Sequence, residues 1–309
     1  MIAPGFRPLL RDAGFARLWF IQASTQVGGN MSLYALTILV FATTRSNAAV
    51  SALVMSFLVP TILLSAIAGV LVDRLDVRWA LIGPNLIRTA LTVGLALAGA
   101  NVAVLLLLNL GISLTSVILT PAEGSMIPRI VPKPQLEAAM GIFNLTLQAS
   151  FAIGFAFLGP LLVTVAGPSF VLAVVAVFYA AATFVTFQLP SAPPVAEDRA
   201  DSPGRGDLLR RAVHEPLDQL RDGLAAIAGD REIGRPLVHL ASSASLVGVI
   251  GVLGPNLAAS LGLDPKDLIV VVLPLGLGVV AGVFSLNRFG GRIPRRRAAE
   301  GGLVVFAVL

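Results

Sequence analysis

Long apolar runs, separated by short clusters of charge, proline or glycine, set the pattern of this chain. Apolar residues dominate positions 18–43, 48–72, 79–100, 102–120, 136–166 and 168–189. A helix that crosses the hydrocarbon core of a bilayer needs about 20 such residues. These runs are too long and too uniformly apolar for the half-buried helices of a soluble domain. The pattern therefore predicts six membrane-spanning helices, over residues 17–43, 48–72, 79–99, 102–120, 136–166 and 168–189. Arg45 and Asn47 mark the first turn, Ala100-Asn101 the third and Gly167-Pro168 the fifth. Pro60 falls mid-span, which membrane helices tolerate when neighbours cover the freed carbonyl. The prolines and glycine between positions 121 and 134 are expected to break the chain into a loop that holds Glu123 and Arg129.

After the sixth run, residues 191–206 are rich in Pro, Ala, Asp and Arg, a composition expected to be poorly ordered. Residues 207–235 read as an amphipathic helix. Leu217, Leu220, Leu224 and Ile227 share one face, and Asp218, Arg221 and Asp222 lie on the other. This segment is either a helix lying on the inner membrane surface or an ordinary linker helix. Two further spans are expected over 236–261 and 268–286, and residues 301–309 start a ninth apolar run. The organisation is an N-terminal bundle (1–189), a linker (190–235) and part of a second bundle (236–309).

Composition agrees with a polytopic membrane protein. Charged residues make up 13% of the 309 positions, against roughly a quarter in a soluble domain. Mean hydropathy is +0.88. The net charge of +5 would suggest nucleic acid in a soluble protein, but here it follows from topology. Arg7, Arg11, Arg17, Arg74, Arg78, Arg129, Lys133, seven arginines over 199–235 and five over 288–297 all fall on one side of the predicted spans. Arg45 and Lys266 fall on the other. Basic loops face the cytoplasm, so the N-terminus is expected inside. The first apolar run is too long for a signal peptide. There is no cysteine, hence no disulfide and no thiolate metal site. His214 and His239 are too far apart for a metal motif, and Gly290-Gly291 lacks the setting of a phosphate loop. No nucleophile–base–acid set appears, so neither an enzyme nor a cofactor is expected.

Polar residues inside the spans are the candidate chemistry, because such groups face protein or a water-filled cavity rather than lipid. Gln22, Gln26, Asn30 and Thr37 lie on or near one face of the first helix, and Asn109, Ser113, Ser116 and Thr120 on one face of the fourth. Asn144 and Gln148 form an i, i+4 pair in the fifth, and Ser242, Ser245 and Asn256 mark the seventh. These residues either line a substrate path or make interhelical hydrogen bonds. Arg88 is the one charge well inside a span. It either snorkels to the inner surface or pairs with Asn85 and a group on a neighbouring helix. The acids Asp73, Glu123, Glu137 and Glu300 are expected near the cytoplasmic ends. Glu123 ends the fourth helix's polar stripe. It is the candidate proton carrier, or else a solvated turn residue.

The turn Gly69-x-x-x-Asp73-Arg74-x-x-x-Arg78 resembles the loop between helices two and three of the major facilitator superfamily. Asn287-Arg288-Phe289 with Arg292 repeats its spacing, as expected of two halves of like build. Residues 10–19, Gln22, Gln26-Val27-Gly28, Ile127 to Pro132 and Asp222-Gly223-Leu224 resemble a bacterial efflux branch that includes macrolide and siderophore exporters. The resemblance implies an all-α membrane fold of twelve helices in two bundles, of which this chain would be a C-terminally incomplete example. It implies export of a small hydrophobic or amphipathic molecule by alternating access, as a monomer, possible exchange for protons, and no nucleic-acid partner. It makes Gly69, Asp73, Arg74, Arg78, Asn287, Arg288 and Arg292 gating residues, with Arg74 and Arg78 against anionic lipid headgroups or acids. The chain departs from the branch at Asp76 and Val77, where a glycine and a basic residue are usual. Gly29 and Asn85 stand where acids are common, and Gly154-Phe155 where a Gly-Pro pair is favoured. A membrane sensor or scaffold that keeps the fold without transporting is the alternative.

Overall fold

The computed structural model describes residues 6–73, 75–193 and 252–263, with isolated positions at 234, 245, 248–249, 273–274, 277–278 and 281–282. A short helix α1 (Phe6–Arg11) leads into α2 (Ala13–Thr44), followed by α3 (Asn47–Asp73), α4 (Val77–Leu97) and α5 (Val102–Ile130). A single 3₁₀ turn (Lys133–Gln135) opens α6 (Leu136–Ser150), which passes through a π-helical segment (Phe151–Leu158) into α7 (Gly159–Ala166). The bundle closes with α8 (Pro168–Thr186). Among the described residues, counting 133–166 as one, six spans are long and apolar enough to cross a membrane. The all-helical bundle expected from the apolar pattern is therefore present.

Short polar residues set the helix starts. The Asp12 carboxylate accepts from the Phe15 N–H at 2.8 Å, and Asp76 accepts from the Arg78 N–H at 2.9 Å. Asn101 accepts from the Val104 N–H at 3.2 Å. Each satisfies a first-turn donor that has no partner within its own helix. Asp76 caps α4 directly after the turn that follows α3, so the chain restarts a helix at once.

One expected break is absent. α5 runs unbroken through Pro121 and Pro128 to Ile130, so residues 121–130 are helix rather than loop. Pro121 and Pro128 each delete one backbone donor, and side-chain hydroxyls engage the same stretch. Thr120 donates to the Ser116 carbonyl at 3.1 Å. The helix stops only where Pro132 and Pro134 follow in close succession. Glu123 is thereby carried into the bundle.

α2 is the central helix: 56% of its most apolar stretch is buried, against 17% for α3. α3 accordingly leaves Ile62 and Leu63 exposed. Close approach to α2 depends on glycine. A Cβ on Gly154 would stand 2.5 Å from the Val27 carbonyl oxygen, and one on Gly159 would stand 3.1 Å from the Cβ of Tyr34. The π turn belongs to this contact. Pro160 cannot donate to the residue four positions back, and the wider turn instead bonds the Gly159 N–H to the Gly154 carbonyl. By contrast, a Cβ on Gly69 would meet nothing within 4 Å among the described residues.

Gly154→Val is therefore expected to lower stability by about 1–3 kcal/mol, since the clash is with backbone that cannot rotate away. Gly124→Ala, whose Cβ would meet nothing within 4 Å, is expected to stay within about 0.5 kcal/mol of the parent. Thermal unfolding of the purified protein in detergent compares the two.

Candidate functional site

The apolar interior is two clusters rather than one. One gathers Met31, Tyr34, Leu95, Leu105, Phe155 and Val171, and the other Phe15, Leu18, Leu81, Met126 and Phe143. Between them lies a polar layer drawn from α2, α4, α5 and α8. Its members are Gln22, Thr25, Asn85, Arg88, Thr92, Glu123 and Thr183, all buried, with Tyr179 reaching in from α8.

Arg88 is 8% exposed and Glu123 7%, and they are the only buried charged side chains among the described residues. Snorkelling does not occur. The Arg88 Nη2 donates to the Tyr179 hydroxyl at 3.0 Å, and its guanidinium carbon sits 4.3 Å from the centre of the Tyr179 ring. A cation over an aromatic face is worth up to about 2 kcal/mol when both are dry. Tyr179 fits because α2 has no side chain there: a Cβ on Gly28 would lie 3.1 Å from its ring, and one on Gly29 3.5 Å from its hydroxyl. Glu123 faces Thr25 and feels the charge of Arg88 through space, without a direct ion pair. Several polar atoms remain unpartnered: Arg88 Nε, both amide atoms of Asn85 and Gln22 Oε1. The expected pairing of Arg88 with Asn85 is not made. Sequence reasoning missed Tyr179 altogether; a tyrosine in an apolar run carries no signal until a charge is seen beside it.

The other predicted residues are dispersed. Gln22 donates to the Phe143 carbonyl at 3.4 Å. Gln26 and Asn30 are half-buried, and Asn30 donates to the Gln26 carbonyl at 2.9 Å. Asn109 donates to Ser56 at 2.9 Å and Ser113 to the Phe57 carbonyl at 2.8 Å, so both tie α5 to α3. Ser116 is half-buried and bonds its own helix at the Ile112 carbonyl. Asn144, Gln148 and Asn256 are exposed. The side chain of Asp73, together with Arg74, Ser242, Asn287, Arg288, Arg292 and the linker residues 194–233, lies outside the described residues.

One end of the bundle carries Arg17, Arg78 and Arg129, and here the chain leaving α8 is strapped down. The Asp76 carboxylate accepts from Ser191 and from the Ala192 N–H, and the Val77 N–H donates to the Ala192 carbonyl at 3.0 Å. Arg78 donates to the Phe187 carbonyl, Arg17 to Gln188 and Arg129 to Pro193. Partial burial raises the Asp76 pKa, but its hydrogen bonds from Ser191, Ala192 and Arg78, together with the Arg78 charge, outweigh this and hold it below the ordinary value.

Residues 18–309 match the profile of the Major Facilitator Superfamily. The chain belongs to this family. Membership makes it a multi-pass membrane protein of a transporter family rather than an enzyme, with a small molecule as its substrate. The fold is similar to that of solved transporters. Against the nucleoside transporter NupG the TM-score is 0.60 at 18% identity, covering 89% of this chain and 68% of that one. Against a POT peptide transporter in complex with sulfate it is 0.56 at 17%, covering 89% and 69%. Against the POT family transporter PepTSo it is 0.50 at 16%, covering 94% of this chain and 57% of that one. The chain thus spans between 57% and 69% of these relatives. No curated protein matches the sequence.

Two outcomes follow for this superfamily member. Tyr179→Phe, which removes the bond to Arg88 and keeps the ring, is expected to cost about 2 kcal/mol. Tyr179→Leu, which also removes the ring, is expected to cost more, and thermal unfolding in detergent ranks them. Asp76→Ala is expected to cost about 1–2 kcal/mol at neutral pH. Because the folded pKa of Asp76 lies below the ordinary 3.8, its contribution is complete above that value and disappears as pH falls through the folded one. Melting curves of parent and Asp76→Ala should therefore converge in acid.

Proposed function

We propose that this chain is a secondary active transporter that exports small hydrophobic or amphipathic compounds by alternating access, with protons as the coupling ion and Glu123 as the proton carrier. The observation that carries the reading is the buried carboxylate of Glu123 beside the buried guanidinium of Arg88, in a layer between two apolar clusters. Such a layer is costly unless it is used. A charge at mid-bilayer costs at least about 2.5 kcal/mol, and replacing a buried polar network with hydrocarbon is often neutral or stabilising.

The substrate path runs along α2 and α5 past Gln26, Asn30 and Ser116 and along α6 past Asn144 and Gln148. Gln22, Asn109 and Ser113 stand behind this path and hold its helices together. The basic end is the cytoplasmic end of a protein in the bacterial inner membrane, with its N-terminus inside, and the protein works as a monomer. Gly69, Asp73, Arg74 and Arg78 form the gate there, with Asn287, Arg288 and Arg292 as their counterparts in a second bundle beyond the linker at 190–235. Arg74 and Arg78 also meet anionic headgroups. The strap at residues 187–193 supports this arrangement, because it fixes the start of the linker to the gate.

The test uses proteoliposomes with a panel of cationic, neutral and anionic amphipathic fluorophores. The parent protein is expected to move at least one of them at a rate set by an imposed pH gradient. Glu123→Gln is expected to reduce the gradient-dependent part about tenfold or more while binding stays measurable. Undiminished gradient-driven movement in Glu123→Gln would remove Glu123 from the role.

A further inference from the structure

The polar layer holds a cation that lacks direct ionic partners. The Arg88 guanidinium offers five N–H donors in a planar fork. One donor is used on Tyr179, the Nε has no partner among the described residues, and none of their carboxylates is in an ion pair with the group. Asn85, one helical turn before Arg88, is 0% exposed and leaves its whole amide unpartnered. Buried polar groups are normally satisfied, so unpartnered atoms on Arg88 and on Asn85, one turn away on the same helix, are contacts waiting for a ligand.

Access is built in. A Cβ on Gly29 would lie 3.8 Å from Arg88 Nη2 and 3.5 Å from the Tyr179 hydroxyl. The guanidinium therefore sits directly behind a position of α2 that carries no side chain. Gly29 is itself half-exposed, as are Gln26 and Asn30 on the same helix. A carboxylate side chain placed at Gly29 would therefore come within reach of Nη2, the nitrogen that also donates to Tyr179, and charge-assisted bonds of this kind are strong.

We propose that Arg88 is the recognition point for a small organic carboxylate, which draws further hydrogen bonds from Asn85. The proposal rests on the transport reading above and narrows its substrate to an amphipathic anion. The ionisable groups around the site are Arg88 on α4, Glu123 on α5 and Tyr179 on α8; α2 contributes only Thr25 and Gly29. The other charged residues near these helices, Asp12, Arg17, Asp76 and Arg78, lie toward the helix termini. With Glu123 ionised, its field partly neutralises Arg88 and opposes an incoming anion. With Glu123 protonated, the site carries one uncompensated positive charge. Protonation of Glu123 therefore strengthens anion binding at Arg88.

Three probes of one shape separate charge from bulk: 2-naphthoate, neutral 2-naphthamide and cationic 2-naphthylmethylammonium. Equilibrium dialysis against the purified full chain, with detergent blanks, needs no gradient and no transport. Naphthoate is expected to bind saturably and about tenfold or more tightly than the amide, with no saturable binding of the ammonium. Asn85→Asp, nearly isosteric, and Gly29→Asp each place a resident carboxylate beside Arg88. Both are expected to weaken naphthoate about tenfold or more without lowering the melting temperature, while Glu123→Gln is expected to tighten it. Absence of saturable naphthoate binding, equal binding of amide and naphthoate, preference for the ammonium, or naphthoate binding unchanged in both aspartate variants would each overturn the proposal. Its failure is distinct from that of the coupling reading. Gradient-driven movement that survives Glu123→Gln sinks the latter and leaves the naphthoate series standing.

Discussion

A permanent positive charge in the middle of an apolar bundle is the constraint on which the rest of this structure depends. Arg88 sits eleven residues into α4, too deep for its side chain to reach either surface while the helix keeps its packing. Hydrocarbon cannot solvate it, so protein must. The Tyr179 ring and hydroxyl do part of this, the field of Glu123 does more, and Thr25 and Thr92 sit in the same layer. The two apolar clusters are therefore held apart by a band that α2, α4, α5 and α8 must all supply at one depth.

That band dictates local features that look unrelated in the sequence. Gly28 and Gly29 leave the gap that the Tyr179 side chain fills. Gly154 lets the π-helical segment press against the backbone of α2 at Val27. α5 has to stay helical past Pro121, because a break at that point would carry Glu123 into water and leave Arg88 without an acid in reach. The Thr120 hydroxyl on the Ser116 carbonyl belongs to the same continuity.

At the basic end the logic is different, because water is available and charges cost little. Asp76 serves as helix cap and as anchor for residues 191–192 at once. Arg17, Arg78 and Arg129 reach the carbonyls of the segment that follows α8. These carbonyls have no helical partner, and guanidinium donors suit them well. The result ties the first residues after the bundle to three of its helices, so a pull on the linker is felt at the turn after α3.

The positions of the spans, the turns at 45–47, 100–101 and 167–168 and the presence of a charge in the third span were legible in the sequence. Apolar length and the cost of exposed backbone in lipid leave few other solutions. The turn at Gly69 and its family likeness were legible too, because a motif is a local object. What the sequence alone did not determine was which polar residues meet. Asn109 and Ser113 share a helical face with Ser116, yet they bond α3, since the rotation of α5 is set by packing against two neighbours. Pro121 and Gly124 signal a break by local propensity, but a helix in a bundle draws its stability from its neighbours. Glu123 therefore moved from a presumed loop to a buried position beside Thr25 and within the field of Arg88. Tyr179 lies 91 residues from Arg88 in the chain, and only the packing of α8 against α4 and α2 brings them together. Charge burial is a property of assembled helices, and no single stretch of sequence contains it.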